Sequence, residues 1–365
     1  MTNPYKISPS FKTDVTANTQ WVLPTADNSS ISTNLVAWGN IQDIMLEANT
    51  AGKLFTADIV STYSLPYIAG TAYIGGVLAI NGDTHFIPNG VTTGQKISLL
   101  GVISTYSLVN NTNYGGGVLA PNGDINMVPI SATVGQKINS SGVVSTYTLV
   151  YTVANAYVGG VLAPNGDTHF IPLSATVGQK INSSGVVSTY SLVYTVSRAY
   201  QGGVLAPNGD IHFIPQSAAV GQKISAAGVV STYSLVYTTT FAYIGGVLAI
   251  NGDIHMIPYN ATVGQKINSS GVVSTYSLVY TTSNAYVGGV LAPNGDIHMA
   301  PFSATVGQKI SAAGVVSTYS LVYTVSQAYQ GGILTPNGDI NFIPYSANRG
   351  QKINRNSGMN FPLSV

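Results

Sequence analysis

The stretch Gly202-Gly203-Val204-Leu205-Ala206-Pro207-Asn208-Gly209-Asp210-Ile211-His212-Phe213-Ile214-Pro215 reads as two short strands joined by a tight turn. Asn-Gly between apolar runs is a strong hairpin signal, because both turn residues tolerate positive φ. The first strand runs over residues 202–207 and the second over residues 211–214. Pro215 ends the second strand, since proline cannot donate to a ladder. A third strand follows around Gln222-Lys223-Ile224. A turn of small residues, 225–228, then leads to a fourth over residues 229–237. Nothing here has the 3.6-residue period of a helix.

The same unit recurs along the chain. Ser-Thr-Tyr starts at Ser61, Ser104, Ser145, Ser188, Ser231, Ser274 and Ser317, and Asn-Gly-Asp ends at Asp83, Asp124, Asp167, Asp210, Asp253, Asp296 and Asp339. Both series step by 43 residues, with a single step of 41. Four short strands in such a unit make one blade of a β-propeller. A lone blade cannot bury its two apolar faces, so the copies must stack. The glycine pair suits the innermost strand, where seven strands converge near an axis. The expected fold is therefore all-β: a seven-bladed β-propeller of four-stranded antiparallel blades.

The order of elements at the two ends predicts how the ring closes. A fourth-strand motif at residues 59–65 precedes any first strand, and the last unit loses its pattern after Ile353. The N-terminal strand should complete the last blade and remove two open edges. An eight-bladed ring is the alternative, with residues 38–55 as a worn unit and residues 358–365 as a degenerate strand. Residues 1–57 form an N-terminal extension, an attachment segment or a strap. It holds both tryptophans, Trp21 and Trp38, and the single glutamate, Glu47. Residues 58–365 form the propeller.

Charged residues are 7% of the 365, and the net charge is +1. That is too little to hold a phosphate backbone, so nucleic acid is not an expected partner. Without cysteine there is no disulfide framework and no Cys-ligated zinc. No secretory signal and no membrane span are expected.

The units resemble glycine-doublet, broadly kelch-like propeller repeats, and are similar to repeats found in some bacteriophage and large-virus proteins. Residues 159–172 and 288–301 carry the resemblance. The tryptophan usual in a kelch unit is missing, so the resemblance implies architecture and no active-site residue. It points to a virion-type structural or host-recognition module and allows a virion location; nothing else in the chain names a compartment. A lectin-like propeller with sugar sites between blades is the alternative.

Chemistry-bearing residues repeat with the units. His85, His169, His212, His255 and His298 share one position, which Asn126 and Asn341 occupy in the other two units. Asparagine replaces a hydrogen-bonding imidazole but is a poor transition-metal ligand, so no metal or cofactor is expected. One Lys and one hairpin Asp per unit are expected to pair. Near-equal copies offer no mixed set of acid, base and nucleophile, so no catalytic residue and no enzyme are expected.

The copies differ at two places. One is the connection into each first strand, around Arg198, Gln201, Phe241 and Gln330. The other is the residue after the second-strand proline, including Tyr259, Phe302 and Tyr345. In an up-and-down blade these connections emerge on one face, opposite the constant Asn-Gly-Asp hairpins. Arg198, Gln201, Phe241, Tyr259, Phe302, Gln330 and Tyr345 are the candidate ligand-binding residues. Loops on a rigid scaffold commonly carry binding, and this set suits a protein or a surface glycan. The oligomeric state is left open.

Overall fold

The computed structural model describes residues 20–21, 35–36, 59–68 and 70–354. The chain divides into two compact units, residues 1–58 with 356–365, and residues 59–355. In the first unit, Gln20–Trp21 pairs antiparallel with Leu35–Val36. The second unit is a closed ring of seven antiparallel four-stranded sheets.

The fourth blade shows the plan: Tyr200–Leu205 innermost, then Ile211–Pro215, Val220–Ile224 and Val230–Ser234. Three strands differ from the sequence reading in their bounds, the first running over Tyr200–Leu205 rather than residues 202–207. Pro215 belongs to the second strand, where it lies opposite Tyr200. At that strand end a missing N–H costs no ladder bond. The outer strand is also shorter than residues 229–237, because the chain leaves it to reach the next blade.

The ring closes as the order of motifs predicts. Ile59–Ser64 pairs with Arg349–Asn354 and completes the seventh blade. The seventh blade then packs on the first: a Cβ added at Gly76 would lie 2.8 Å from Cδ1 of Ile343. Seven blades therefore fill the circle, and the eight-blade alternative falls. Residues 38–55 and 358–365, on which it rested, lie outside the described residues.

Each glycine of the doublet meets a different neighbour. The register shifts by a bulge between Tyr200 and Gly203, and Gly202 in the bulge has φ +85. A Cβ on Gly202 would come within 2.9 Å of the Gly245 Cα in the next blade. The same relation runs from Gly116 in the second blade through Gly288 and Gly331 to Gly75 in the first, where a Cβ on Gly75 would meet nothing within 4 Å. Gly203 faces the previous blade, where a Cβ would stand 2.6 Å from Cδ1 of Ile171.

A third glycine, Gly221, lies beneath the ring of its cross-strand partner Tyr233, which occupies the place of a side chain. On the inner strand Tyr200 is fully buried and packs against Phe213, and its hydroxyl donates to the Val220 carbonyl at 3.0 Å. Burial pushes that phenol far above the usual tyrosine range.

Blades are joined by a buried glutamine. Gln222 has no exposed surface, and its Oε1 accepts from the backbone N–H groups of Val193 and Tyr194 in the preceding blade, at 3.0 and 2.8 Å. Gln136, Gln179, Gln265, Gln308 and Gln351 repeat this clamp. At the closing joint Gln95 accepts from Tyr67.

Comparing two alanine substitutions separates backbone strain from collision. Gly228 has φ +81 and open space around its Cβ position. Gly228→Ala should cost about 1–2 kcal/mol for the left-handed backbone alone. Gly202→Ala should cost that plus roughly 1–3 kcal/mol for overpacking against the next blade. Equal urea midpoints for the two variants would show that the inner glycines do not touch as described.

Candidate functional site

The variable loops stand on a continuous backbone belt. Gln216 donates its N–H to the Ala199 carbonyl at 2.9 Å, and its own carbonyl accepts from Ala242 of the next blade at 3.1 Å. The alternation continues through Tyr259, Ala285, Phe302, Ala328, Tyr345 and Ala72 to Asn89. Because main-chain groups make every link, the side chains along the belt are free to differ.

The residue before each belt alanine adopts a left-handed backbone: Thr71, Asn155, Arg198, Phe241, Asn284 and Gln327 have φ between 55 and 58. Glycine takes this conformation most readily. Six side chains of five kinds are held there at a conformational cost.

The structure brings most of the candidate residues together. Tyr259, Phe302 and Tyr345 form a row across blades five, six and seven, with ring centroids 5.9 and 5.7 Å apart. They pack with Ile244 and Val287 on the adjoining inner strands. Phe302 is only 8% exposed, so it is the floor beneath the two tyrosines and offers little surface of its own. Arg198 lays its guanidinium over the Phe241 ring at 5.4 Å. Burial pushes the Tyr259 phenol up, the nearby Tyr345 adds to this, and Arg198 opposes it. Gln201 accepts from the Gln216 amide at 2.8 Å. Gln330 is half-buried on the inner strand of the seventh blade, at the position equivalent to Gln201.

Gln216, Ile244 and Val287 belong with this patch but were absent from the candidate set. The signal was present, since all three occupy variable positions. They were passed over because an amide in a loop, or an aliphatic side chain on an inner strand, looks incidental until a neighbour is seen against it.

The opposite face is chemically uniform. All seven Lys–Asp pairs form within a blade, at 2.6–3.1 Å. The hairpin Asp residues are buried, so this pairing neutralises what would otherwise be a carboxylate ring. Burial raises the Asp210 carboxyl, but its bonds to Lys223 and to the Ala226 N–H leave it below the usual range. His212 Nδ1 lies 3.3 Å from the Tyr233 hydroxyl, and His85, His169 and His255 meet Tyr106, Tyr190 and Tyr276 in the same way. Burial, aided by the nearby lysine, lowers these four imidazoles to about 4. Among the described residues, no group of three His, Cys, Asp or Glu is arranged to hold a metal ion.

Clefts open between blades on this face. One lies between blades five and six, with a volume of about 180 Å³. Its counterparts between blades three and four and between blades two and three are about 90 and 40 Å³.

No protein-family model and no curated protein matches the chain. Solved structures share the fold. A catalytically inactive histidine-to-alanine variant of virginiamycin B lyase from Staphylococcus aureus, solved with quinupristin, aligns over 80% of this chain and 98% of its own. Its TM-score is 0.71 at 16% identity. The extracellular domain of a hybrid two-component system from B. thetaiotaomicron aligns over 83% of this chain and 42% of its own, with TM-score 0.65 and 9% identity. Kuenenia stuttgartiensis hydrazine synthase aligns over 81% of this chain and all of its own, with TM-score 0.61 and 10% identity. At these identities the likeness is one of fold.

These structures overturn the expectation that the chain is not an enzyme. Streptogramin B lyases are built on the same seven-bladed ring. The flaw lay in treating blades as isolated copies. The loops of different blades converge on one face, so near-equal repeats still bring unlike residues together, as Arg198, Phe241, Tyr259 and Gln201 show. Among the described residues no helix is long and apolar enough to cross a membrane.

The lowered imidazoles make stability depend on pH. An unfolded histidine takes its proton near pH 6.5, and the folded ones near 4. Between those values the unfolded state binds more protons, so stability is full above pH 6.5 and falls as the pH drops toward 4. By pH 5 the loss should be on the order of 1–2 kcal/mol per imidazole. Urea unfolding at pH 7 and pH 5 measures it. Replacing His85, His169, His212 and His255 by Asn, the residue two units already carry, should remove most of the difference. An undiminished difference in that variant would refute the assignment.

Proposed function

We propose that this chain is a recognition propeller, a rigid ring that holds one uneven, aromatic-lined face against a protein or a surface glycan. Residues 1–57 serve as its attachment segment, as in a virion-type structural or host-recognition module. The observation that carries this reading is the set of side chains kept in left-handed loop positions. Arg198 and Phe241 sit where glycine would be freer, and they lie with the row of Tyr259, Phe302 and Tyr345. Aromatic and arginine side chains are the usual anchors of binding surfaces. Gln201 and Gln330 add amides that can orient a partner. The virion part of the proposal draws on the resemblance of the units to phage and large-virus repeats. Propellers also serve as extracellular domains of sensor proteins, which supports a binding role.

A lectin-like, multivalent carbohydrate-binding propeller is the second reading. It is favoured by the clefts that recur between blades. Several weak sites on one ring would act together by avidity.

Combining Arg198→Ala with Phe241→Gly tests the first reading. Glycine relieves the left-handed backbone, so the variant should unfold at the same temperature or a little higher. Its binding on a glycan array or to intact host cells should fall by about thirtyfold, the loss of one strong anchor. Unchanged binding by a variant that folds as well as the parent would rule out this face as the site.

A further inference from the structure

We infer that the cleft between blades five and six, with its smaller counterpart between blades three and four, binds a neutral polyol the size of a monosaccharide. The inference rests on the second, carbohydrate-binding reading, and it adds the interfaces, the ligand chemistry and the residues that narrow the opening.

The chemistry comes from what faces the cleft. Asn251, His255, Lys266 and Tyr276 of blade five line one wall, and Ser311 and Ala312 of blade six line the other. Lys266 Nζ holds the Asp253 carboxylate at 2.6 Å, so the wall carries opposite charges already paired. An anion would be repelled by the Asp253 carboxylate beside it, and a cation by the Lys266 ammonium. A hydroxyl group meets neither repulsion. An ammonium group has three N–H donors, and one bond to Asp253 leaves others for a ligand oxygen. The Asn251 amide both donates and accepts. Polar groups without net charge therefore lie beside the aliphatic surfaces of Ile250, Ile297 and Ile310. A ring of hydroxyls with a C–H face complements both.

Size follows two positions, one in the turn between the third and fourth strands and one in the hairpin of the preceding blade. The turn position is Ala312 at the cleft of about 180 Å³ and Ala226 at the cleft of about 90 Å³. It is Ser183 where the cleft shrinks to about 40 Å³. The geometry explains the effect: a Cβ built on Gly295 would lie 3.0 Å from the Ala312 Cβ and 2.9 Å from Cδ1 of Ile250. Hairpin, turn and neighbouring blade thus converge at the cleft mouth. The larger cleft also has Ile250 where the smaller one has Pro164.

The first blade carries leucine at the corresponding position, Leu99. The fold accommodates a large side chain there, so Ala312→Leu and Ala226→Leu should fold and fill their clefts. The full chain is titrated with glucose, galactose, mannose and N-acetylglucosamine by calorimetry and saturation-transfer NMR, with inorganic phosphate as a charged probe. At least one sugar should bind at two sites, and phosphate should not bind. Ala312→Leu should remove one site, and the double variant should weaken binding by roughly tenfold or more, with an unchanged urea midpoint. Sugar binding that survives the double variant would overturn the cleft assignment while leaving a carbohydrate-binding propeller. Absence of binding by every sugar would overturn both. Phosphate binding lost in Ala312→Leu would overturn the neutral-ligand assignment.

Discussion

The ring depends on one buried amide per blade. A glutamine in the third strand, Gln222 in blade four, accepts two main-chain N–H groups from the loop that leaves the blade before it. The glutamine has no exposed surface, and an amide left unpaired there would cost about 1–3 kcal/mol. Apolar packing between blades is non-directional, but the glutamine fixes each blade at one height and angle against its neighbour. The glycine rows then let the inner strands approach: in every blade but the first, one glycine meets the next blade's backbone, and in every blade another meets an isoleucine or valine side chain. Repetition of this joint lets the non-covalent strand Ile59–Ser64 close the circle.

Uniform joints make a varied face possible. Main-chain bonds from Ala156 round to Asn89 carry the upper belt, so its side chains have no structural duty to share. Variation has gathered there into an aromatic row with an arginine–phenylalanine pair beside it. On the hairpin face the same residues recur blade after blade, and their charges cancel locally. The clefts between blades differ there in volume, about 180 and 90 Å³ with alanine in the turn and about 40 Å³ with serine.

Much of the architecture was legible because the repeat compares each position with six others. The Asn-Gly hairpin, the glycine doublet on the inner strand and the early fourth-strand motif all follow from local stereochemistry. The Lys–Asp pairing was readable from equal numbers of the two residues. The role of Gln222 was not, since its partners lie 28 and 29 residues away on another blade. Nor was the glycine under Tyr233, because a constant Gly-Gln-Lys reads as an ordinary strand. The binding face was found through variability, which marks where residues differ but not which are covered; Phe302 looked available and lies beneath its neighbours. Treating each unit alone also led to the mistaken exclusion of an enzyme, because convergence between blades is a property of the closed ring.

Amide hydrogen exchange of the full chain tests the central claim most directly: one glutamine clamp, repeated, holds the ring including its closing joint. Tyr67, Val322 and Tyr323 flank that closure, and Val193 and Tyr194 sit at an interior joint. The account predicts similar protection at all five amides, and with Gln351→Leu a selective loss at Val322 and Tyr323. Fast exchange at these amides in the unaltered chain, or their continued protection in the leucine variant, would contradict it.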